Sequence, residues 1–513
     1  MSVDVGVLIV GAGLSGSAAL ARLLRAAPRE RVLVVDEGGD PANGTGAEAA
    51  RVVLRASDRT ATTLDPWWTD RRLGGAANLW YGQISRFEPI DFASLAFPGE
   101  GGSVARSRPW PIDRAALDPF YDFVETLLSP VSAAPALNPG ARLPEGWTAR
   151  RRVGRAERAI HEALAAGGWE PHAGATCLGG HAWAAAPIDP VTLAPLRSGG
   201  PADHARNPVW HTRRATEGAT RATLWVGARV LSVAPRGDDL EVRVERADGV
   251  ARVRARAIVL ACGVLETVAL LRRSGLTHPR LGRDFTFTTE ATAYVATDLR
   301  RCASATELAI ARMAAISTKG LYAPSVPGLV KGGKISAYDA RGFEGDARHE
   351  RKIRAATGSD PDLLSPASRL TVKLSFKGES VAWEGKRIAP PEPTAIDGAE
   401  HVLDYTPHPH DRRLVARVRA AFAEIAALFP GGRVIASSDN VDGRDRSSAH
   451  LHGGAICGTC AAAAVTDRDC ALFAEPRLFV ADASIMPSSG ATNSSLTAMA
   501  NAARVADAVA ARL

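Results

Sequence analysis

Val7-Leu8-Ile9-Val10, followed at once by Gly11-Ala12-Gly13-Leu14-Ser15-Gly16, decides how this chain is read. The four apolar residues form a run of the length of a buried strand. Ser17 to Ala26, rich in alanine and leucine, predicts a helix. Arg31 to Val35 predicts a second strand, which ends in Asp36, twenty residues beyond Gly16. Strand, G-x-G-x-x-G, helix, strand and acid in that order are the setting of a dinucleotide-binding unit. Gly11 permits the tight turn, Gly13 lets the backbone approach a pyrophosphate, and Gly16 lets the helix pack on the strand. The free N–H groups at the helix start favour phosphate, and Asp36 is placed to take ribose hydroxyls. The expectation is an adenine dinucleotide; the plain alternative is a glycine turn in an α/β domain. FAD and NAD both remain open here, the position of the fingerprint at the N-terminal end leaning toward FAD.

The 513 residues leave room for two or three domains. Hydrophobic residues make up 46% and charged residues 23%, proportions of an ordinary globular protein. The net charge of +7 is carried mostly by arginine spread along the chain, with no basic block interleaved with aromatics, so nucleic acid is not an expected partner. The charge suits an anionic cofactor and is compatible with an anionic substrate. Six cysteines, Cys177, Cys262, Cys302, Cys457, Cys460 and Cys470, are too few for a disulfide scaffold. No stretch reaches the ~18 apolar residues of a membrane span, and no signal peptide is visible. The expected setting is the cytoplasm.

Beyond Asp36 come a polar loop, Gly38 to Gly46, and then Arg71-Arg72-Leu73-Gly74-Gly75-Ala76-Ala77-Asn78-Leu79-Trp80-Tyr81-Gly82. Its paired glycines point to backbone passing close to something flat or charged. Trp110-Pro111-Ile112-Asp113 predicts a helix start with Asp113 as N-cap, because Leu117, Phe120, Tyr121, Val124 and Leu127-Leu128 follow at helical spacing. Residues 130–153 read as a connection and Arg155 to Ala166 as a helix; 170–220 yields no local structure. Strands are predicted at Ala222 to Ala234, Leu240 to Glu245, Ala251 to Val253 and Ala257 to Gly263, with a helix from Val264 to Ser274 returning the chain to the nucleotide-binding sheet. Thr288 to Val295, Gly332 to Tyr338 and Arg369 to Phe376 predict a second, mostly antiparallel sheet, with a polar loop, Gly342 to Asp362, among them. Arg412 to Phe429 predicts a long helix. The fold class is α/β. A Rossmann-like FAD-binding domain is expected over 1–285 with 430–513, and a substrate-binding domain over 286–429 with parts of 80–220.

The last section carries the chemistry. Ser448-Ala449-His450-Leu451-His452-Gly453-Gly454-Ala455-Ile456-Cys457-Gly458 sets two histidines before a glycine pair. Arg477 to Pro487 is a strand running into a turn. Gly490-Ala491-Thr492-Asn493-Ser494-Ser495 leads into an apolar helix, Leu496 to Leu513, which Thr492, Asn493 or Ser494 is placed to cap. With these pieces in hand, the chain resembles the glucose-methanol-choline (GMC) oxidoreductases, a family of FAD-dependent, alcohol-oxidising enzymes of p-hydroxybenzoate-hydroxylase-like architecture. Four pieces carry the resemblance: the N-terminal fingerprint; Leu73-Gly74-Gly75 with Asn78 to Gly82; Ala257 to Leu271 with Gly263 and Glu266; and His450 to the end. Trp110-Pro111 matches as well. His450-x-x-Gly453-Gly454-x-x-x-Gly458 resembles the pattern of the sterol- and sugar-oxidising branches.

The resemblance implies a role for each. His450 would be the general base that takes the hydroxyl proton while the carbinol hydride moves to flavin N5, and Asn493 would hydrogen-bond the developing alkoxide. His452 is the alternative base, expected instead to support the site or touch substrate. The start of the last helix would face the flavin pyrimidine ring. Val230 would lie by the adenine, and Asp482-Ala483 by the ribityl-pyrophosphate chain. Ser15, Glu37, Arg72, Gly74, Gly75, Asn78, Leu79, Trp80, Ala261, Gly263 and Ser494 would join Gly11, Gly13, Gly16 and Asp36 around the cofactor. Ala76 and Ala77 stand where the family commonly has serines. No histidine lies in Gly74 to Gly82 to link a flavin, so the FAD is expected to be non-covalent.

The implied substrate is a small-molecule alcohol. Leu73 to Phe92 resembles the sugar-oxidising branch, which favours a sugar, polyol or glycoside hydroxyl, a secondary-metabolite glycoside or aminocyclitol being one version. A sterol or simple alcohol is the alternative. Oxygen or another acceptor would take the electrons. A hydroxynitrile-lyase-type enzyme that keeps FAD without net redox, and an FAD-binding protein without catalysis, are the competing readings. Cys457-Gly458-Thr459-Cys460 reads as two packed thiols near the flavin rather than half of a zinc site. His408-Pro409-His410 reads as a solvated loop, the Arg/Glu-rich run 347–354 as a solvated face, and Trp80, Tyr81 and Trp110 as core or flavin lining.

Overall fold

The computed structural model describes residues 2–39, 52–55, 61–63, 71, 73–80, 82–128, 130–138, 142–144, 147, 149–150, 153–176, 221–300, 315–323, 328–340, 369–390, 400–441 and 448–513. The chain opens as expected, with strand β1 (Ser2–Val10), helix α1 (Leu14–Ala26) and strand β2 (Val32–Val35). Strand β3 (Ala222–Trp225) lies parallel to β2 on its outer side. A meander of β4 (Arg229–Arg236), β5 (Asp239–Arg246) and β6 (Gly249–Leu260) then brings β6 parallel to β1. Val7 to Ile9 are fully buried at the centre of this sheet.

Two expectations change here. The single strand expected at 222–234 is two: Gly227, at φ +59°, turns the chain between β3 and β4, which sit at opposite edges of the sheet. The separate strands expected at 251–253 and 257–263 are the one long strand β6. In it Arg252, Arg254 and Arg256 point outward between buried neighbours.

Helix α2 (Arg114–Leu128) starts where Asp113 accepts the Ala116 N–H at 2.9 Å, as a capping residue does. Within the connection expected at 130–153, short strands Val131–Ser132 and Ala149–Arg150 pair in parallel. Helices α3 (Arg155–Ala166) and α4 (Val264–Arg273) follow the predicted spans closely.

The second sheet is antiparallel throughout. It contains β7 (Thr289–Arg300), β8 (Ile316–Leu321), β9 (Gly333–Asp339), β10 (Arg369–Gly378) and β11 (Arg433–Asp439). Its order is His172–Ala173, β8, β9, β10, β7, β11. Period-two alternation gives it two faces. Ala291, Ala293, Val295, Ile335, Ala337, Val372, Leu374 and Phe376 pack on α3 and on α5 (Pro409–Ala426), meeting Ile160, Leu164, Leu414, Val418 and Phe422. Glu290, Thr292, Tyr294, Lys334, Ser336, Tyr338, Lys373, Ser375 and Lys377 take the other face, in registered rows such as Glu290–Lys377–Lys334.

His408 and His410 are not solvated, contrary to expectation. His408 is the N-cap of α5 and accepts the His410 N–H at 3.1 Å, and His410 is fully buried against Phe97. Gly342 to Asp362 and the run 347–354 lie outside the described residues. Finally, strand β12 (Leu478–Val480) joins the first sheet parallel to β6, and helix α6 (Ser495–Ala510) packs on α1 and α2. No helix among the described residues is long and apolar enough to cross a membrane.

Candidate active site

The β1–α1 turn admits only glycine at two points. A Cβ on Gly11, which sits at φ +99°, would lie 2.4 Å from the Ala261 oxygen, and one on Gly16 would lie 1.9 Å from the Gly11 oxygen. Gly13 caps α1 with no side chain, so the first-turn N–H groups stay available to an anion. The carbonyl oxygen of Gly74 lies 3.3 Å from where a Gly13 Cβ would stand, so the two glycine loops face each other. Gly74 and Gly75 both have positive φ, and Asn78 and Leu79 end the short helical turn Gly75–Leu79 that follows. Gly263, at φ +88° beyond β6, has no atom within 4 Å of its missing Cβ. The C-terminal ends of β1 and β6 thus frame an open cradle with phosphate-binding donors.

Asp36 accepts the Ala12 N–H at 2.7 Å and the Gly38 N–H at 2.8 Å, pinning the glycine turn to β2. Burial pushes its carboxyl up to about 6 against these bonds. Glu37 is more open and lies 3.8 Å from Arg71 and 3.7 Å from Arg229. Ser15 is buried in α1. Val230 is buried on β4, and its carbonyl accepts from Arg273 at 2.9 Å. Ala261 directly follows β6, its N–H donating to the Val10 oxygen at 2.8 Å. Asp482 braces three segments, accepting from the Gly263 N–H at 3.0 Å, the Thr267 hydroxyl at 2.6 Å and the Ser484 N–H at 2.9 Å. Trp80 is partly buried and donates from Nε1 to the Gln83 carbonyl at 3.2 Å; Trp110 belongs to the core and donates to Ser488 at 3.1 Å. Arg72 and Tyr81 lie outside the described residues.

The two histidines differ in setting. His452 is fully buried, and its Nε2 lies 2.8 Å from the Ser494 hydroxyl at the N-cap of α6. His450 is only half-buried, and its backbone N–H donates to Ser448 Oγ at 3.0 Å. The Ser448 hydroxyl donates to Glu290, which is paired with Lys377. Burial pulls His450 down to about 4, with Lys377 and Lys334 acting the same way and Glu290 opposing. Burial takes His452 to about 3. Burial would raise Glu290, but Lys377, His450 and Ser448 together outweigh it and hold the carboxyl at about 2. The loop is anchored from the cradle side: the Gly453 N–H donates to the Ala483 oxygen at 3.1 Å and the Ala455 N–H to the Ser484 oxygen at 3.0 Å. Ser494 takes the N-cap position, but its hydroxyl turns to His452 and not to the helix. Asn493 does not cap the helix either: its Oδ1 is buried with no partner among the described residues, as is Nδ1 of His450.

The polar face of the second sheet meets this site through residues that sequence reasoning passed over. Lys334 donates its backbone N–H to the Ala491 oxygen at 3.1 Å and its ammonium to Ser85 Oγ at 2.9 Å. Gln83 reaches Tyr338 Oη at 2.5 Å. The signal was present as alternation in Gly333–Asp339 and Arg369–Gly378, but alternation alone reads as a solvated face.

The Cys457–Cys460 pairing is corrected. Cys460 is exposed, and the buried Cys457 instead meets Cys470. Cys470 is lowered to about 7 by the Cys457 thiol and by Arg504, whose Nη2 lies 3.2 Å away.

Residues 395–502 match the GMC oxidoreductase family model. The chain is 28% identical to paromamine 6'-oxidase of Streptomyces fradiae over 98% of this chain and 91% of that protein. It is 27% identical to 6'''-hydroxyparomomycin C oxidase of Streptomyces lividus over 99% and 91%. The C-terminal part of the chain thus matches the GMC oxidoreductases. Among solved structures the chain superposes on a formate oxidase of Aspergillus oryzae RIB40, studied for modification of its FAD, with a TM-score of 0.61 at 13% identity over 99% of this chain and 98% of that one. Members of the family bind FAD, and the cradle fits such a group: two glycines that no other residue replaces, an uncapped helix start, and the open space beside Gly263.

Proposed function

We propose that this GMC oxidoreductase oxidises a hydroxyl of a sugar, polyol or glycoside, with FAD held non-covalently between the Gly11–Gly16 turn, the Gly74–Trp80 loop and the start of α6. One observation carries the reading: a half-buried His450, neutral above about pH 4, lies on a loop that the His452–Ser494 bond ties to the residue after Asn493, whose amide oxygen is unpartnered among the described residues. When bound, FAD supplies the acceptor for the carbinol hydride. The protein does the rest. His450 takes the hydroxyl proton on a ring nitrogen that burial keeps free of protons. Once charged, it is steadied by the Glu290 carboxylate, which Ser448 links to the His450 backbone. Asn493 orients the substrate oxygen, and His452 holds the start of α6 in place. The N–H groups of that helix start favour negative charge gathering beside them. Asp36 and Glu37 serve the ribose, Val230 the adenine side, and Asp482-Ala483 the pyrophosphate chain.

The polar face of the second sheet favours a polyhydroxylated substrate over a sterol, since an apolar ring system would strand these groups without partners. The names of the two curated relatives, oxidases at a 6' and a 6''' position, support a glycoside hydroxyl and oxygen as acceptor. The four described cysteines are all free thiols, which accords with a cytoplasmic setting. The visible spectrum of the purified protein, before and after anaerobic addition of sugars, polyols, sterols and simple alcohols, tests the reading. Bleaching by the sugar or polyol class is the expected result. Flavin that no alcohol bleaches would favour lyase chemistry, and protein that takes up no FAD would overturn the cofactor assignment.

A further inference from the structure

We propose that the polar face of the second sheet holds a subsite, centred on Lys334, for an anionic group of the substrate: a phosphate, sulfate or carboxylate. The inference rests on the reading of the chain as a sugar oxidase and narrows its substrate class. Four described lysines are almost wholly buried in this sheet or its flanks, Lys373 among them, set over the Tyr338 ring. Two of them have counter-charges: Lys331 sits between Asp91 at 2.7 Å and Glu379 at 2.5 Å, and Lys386 sits on Asp411 at 2.6 Å. Lys334 differs. It is 4% exposed, and among the described residues its ammonium has one hydrogen-bond partner, the neutral hydroxyl of Ser85 at 2.9 Å. An ammonium carries three donors, and a buried one without an opposite charge is strongly disfavoured. An anion brought by the substrate supplies both the charge and the acceptors.

The neighbours of Lys334 have the wrong sign to do so. Lys377 stands opposite it on β10 and is already paired with Glu290. Lys319 is paired with Glu88. His172, on the edge strand, is itself pulled down by burial and by Lys334 and Lys319. Burial, Lys319 and Lys377 pull Lys334 to about 7, and a bound anion acts in the opposite direction. The position suits a substrate site. The Lys334 N–H holds the Ala491 oxygen, two residues before Asn493, and its charge is among those felt by His450. In this proposal the substrate offers its hydroxyl to His450 and its acid to Lys334. An amino sugar would meet like charge at this wall.

The test uses the flavin-loaded enzyme in two arms. In the first, inorganic phosphate is titrated by equilibrium dialysis against the parent enzyme, Lys334→Gln and Lys334→Arg, with the bound-flavin spectrum checking that each variant is folded. Saturable binding that weakens about tenfold or more in Lys334→Gln, and is retained in Lys334→Arg, is expected from loss of a charge-assisted hydrogen bond. Absence of saturable binding, or equal binding by Lys334→Gln, overturns the subsite. In the second arm, glucose 1-phosphate, methyl glucoside and glucosamine are compared as anaerobic reductants of the flavin. Glucose 1-phosphate is expected to bleach at the lowest concentration. Glucosamine leading the series overturns the subsite and leaves the sugar reading standing. No bleaching by any of the three, with phosphate binding still dependent on Lys334, overturns the sugar reading and leaves the subsite standing.

Discussion

The Nε2 atom of His452 lies 2.8 Å from the hydroxyl of Ser494, so the strand Leu451–His452 is tied directly to the N-cap of the last helix. In the proposed reading that bond occupies His452 with holding a helix start and leaves His450 as the base. Two residues apart in sequence, the histidines are thus proposed to do different work. His450→Ala is expected to slow flavin reduction by roughly 10²–10⁴-fold while the bound flavin spectrum stays intact. His452→Ala is expected to act mainly on flavin retention, with the smaller loss of rate. Stopped-flow reduction together with flavin-to-protein ratios separates the two, and the reverse ranking would exchange their roles.

Acidity provides a second check. Burial holds folded His450 at about 4 and His452 at about 3, below the ordinary 6.5 that each regains on unfolding. Between 6.5 and about 4 the unfolded chain therefore binds more protons than the folded one, so stability rises with pH across that window and is lost on acidification. His172 and His410, both near 4, add to the slope. Melting temperature should fall steadily from pH 7 to pH 5. The acid limb of flavin reduction should lie near pH 4; a limb at 6.5 would mean that His450 is solvated like an ordinary histidine.

The cradle is checked at Gly16. A Cβ there would press to 1.9 Å from the Gly11 oxygen, a backbone atom that cannot swing aside. Gly16→Ala is expected to yield protein that is less stable and colourless, and that does not recover flavin on dialysis against FAD. A fully loaded yellow variant would show that this turn is not where the cofactor is gripped.

Thiol chemistry is the fourth. Cys460 is exposed, whereas Cys457 and Cys470 are buried together. Brief treatment of the native enzyme with a maleimide, followed by peptide mapping, should label Cys460 and spare the other two, even though Cys470 sits near neutrality at about 7. Labelling of Cys470 at the rate of Cys460 would contradict the packing of Arg504 and Asn501 around it.

Local pattern carried much of this molecule. The Val7–Val10 run, its glycine turn and the capping Asp113 depend on neighbours a few residues away, and each folds as its sequence implies. What the pattern missed depends on distant contacts. Gly227 marks a turn, but nothing nearby says that β3 and β4 belong at opposite edges. Alternation in Gly333–Asp339 shows two faces, but Ser85, 249 residues before Lys334, helps to cover the polar one. Cys457 has a cysteine three residues on, and the fold instead brings it one thirteen residues away. The proposal of His450 and Asn493 comes from family resemblance; the Glu290–Ser448 link behind His450 was not legible, because serine and glutamate there carry no local signature.

The division of the second sheet into two faces has a consequence for how such an enzyme can diversify. Residues 335, 337, 372, 374 and 376 hold α3 and α5, while 334, 336, 338, 373, 375 and 377 alternate with them on the opposite face, which the proposed reading turns toward the substrate. Heritable change can therefore fall on every second codon of β9 and β10, altering what is recognised while the interleaved codons keep the domain folded. A lineage can drift between substrates along these strands without first crossing an unfolded ancestor.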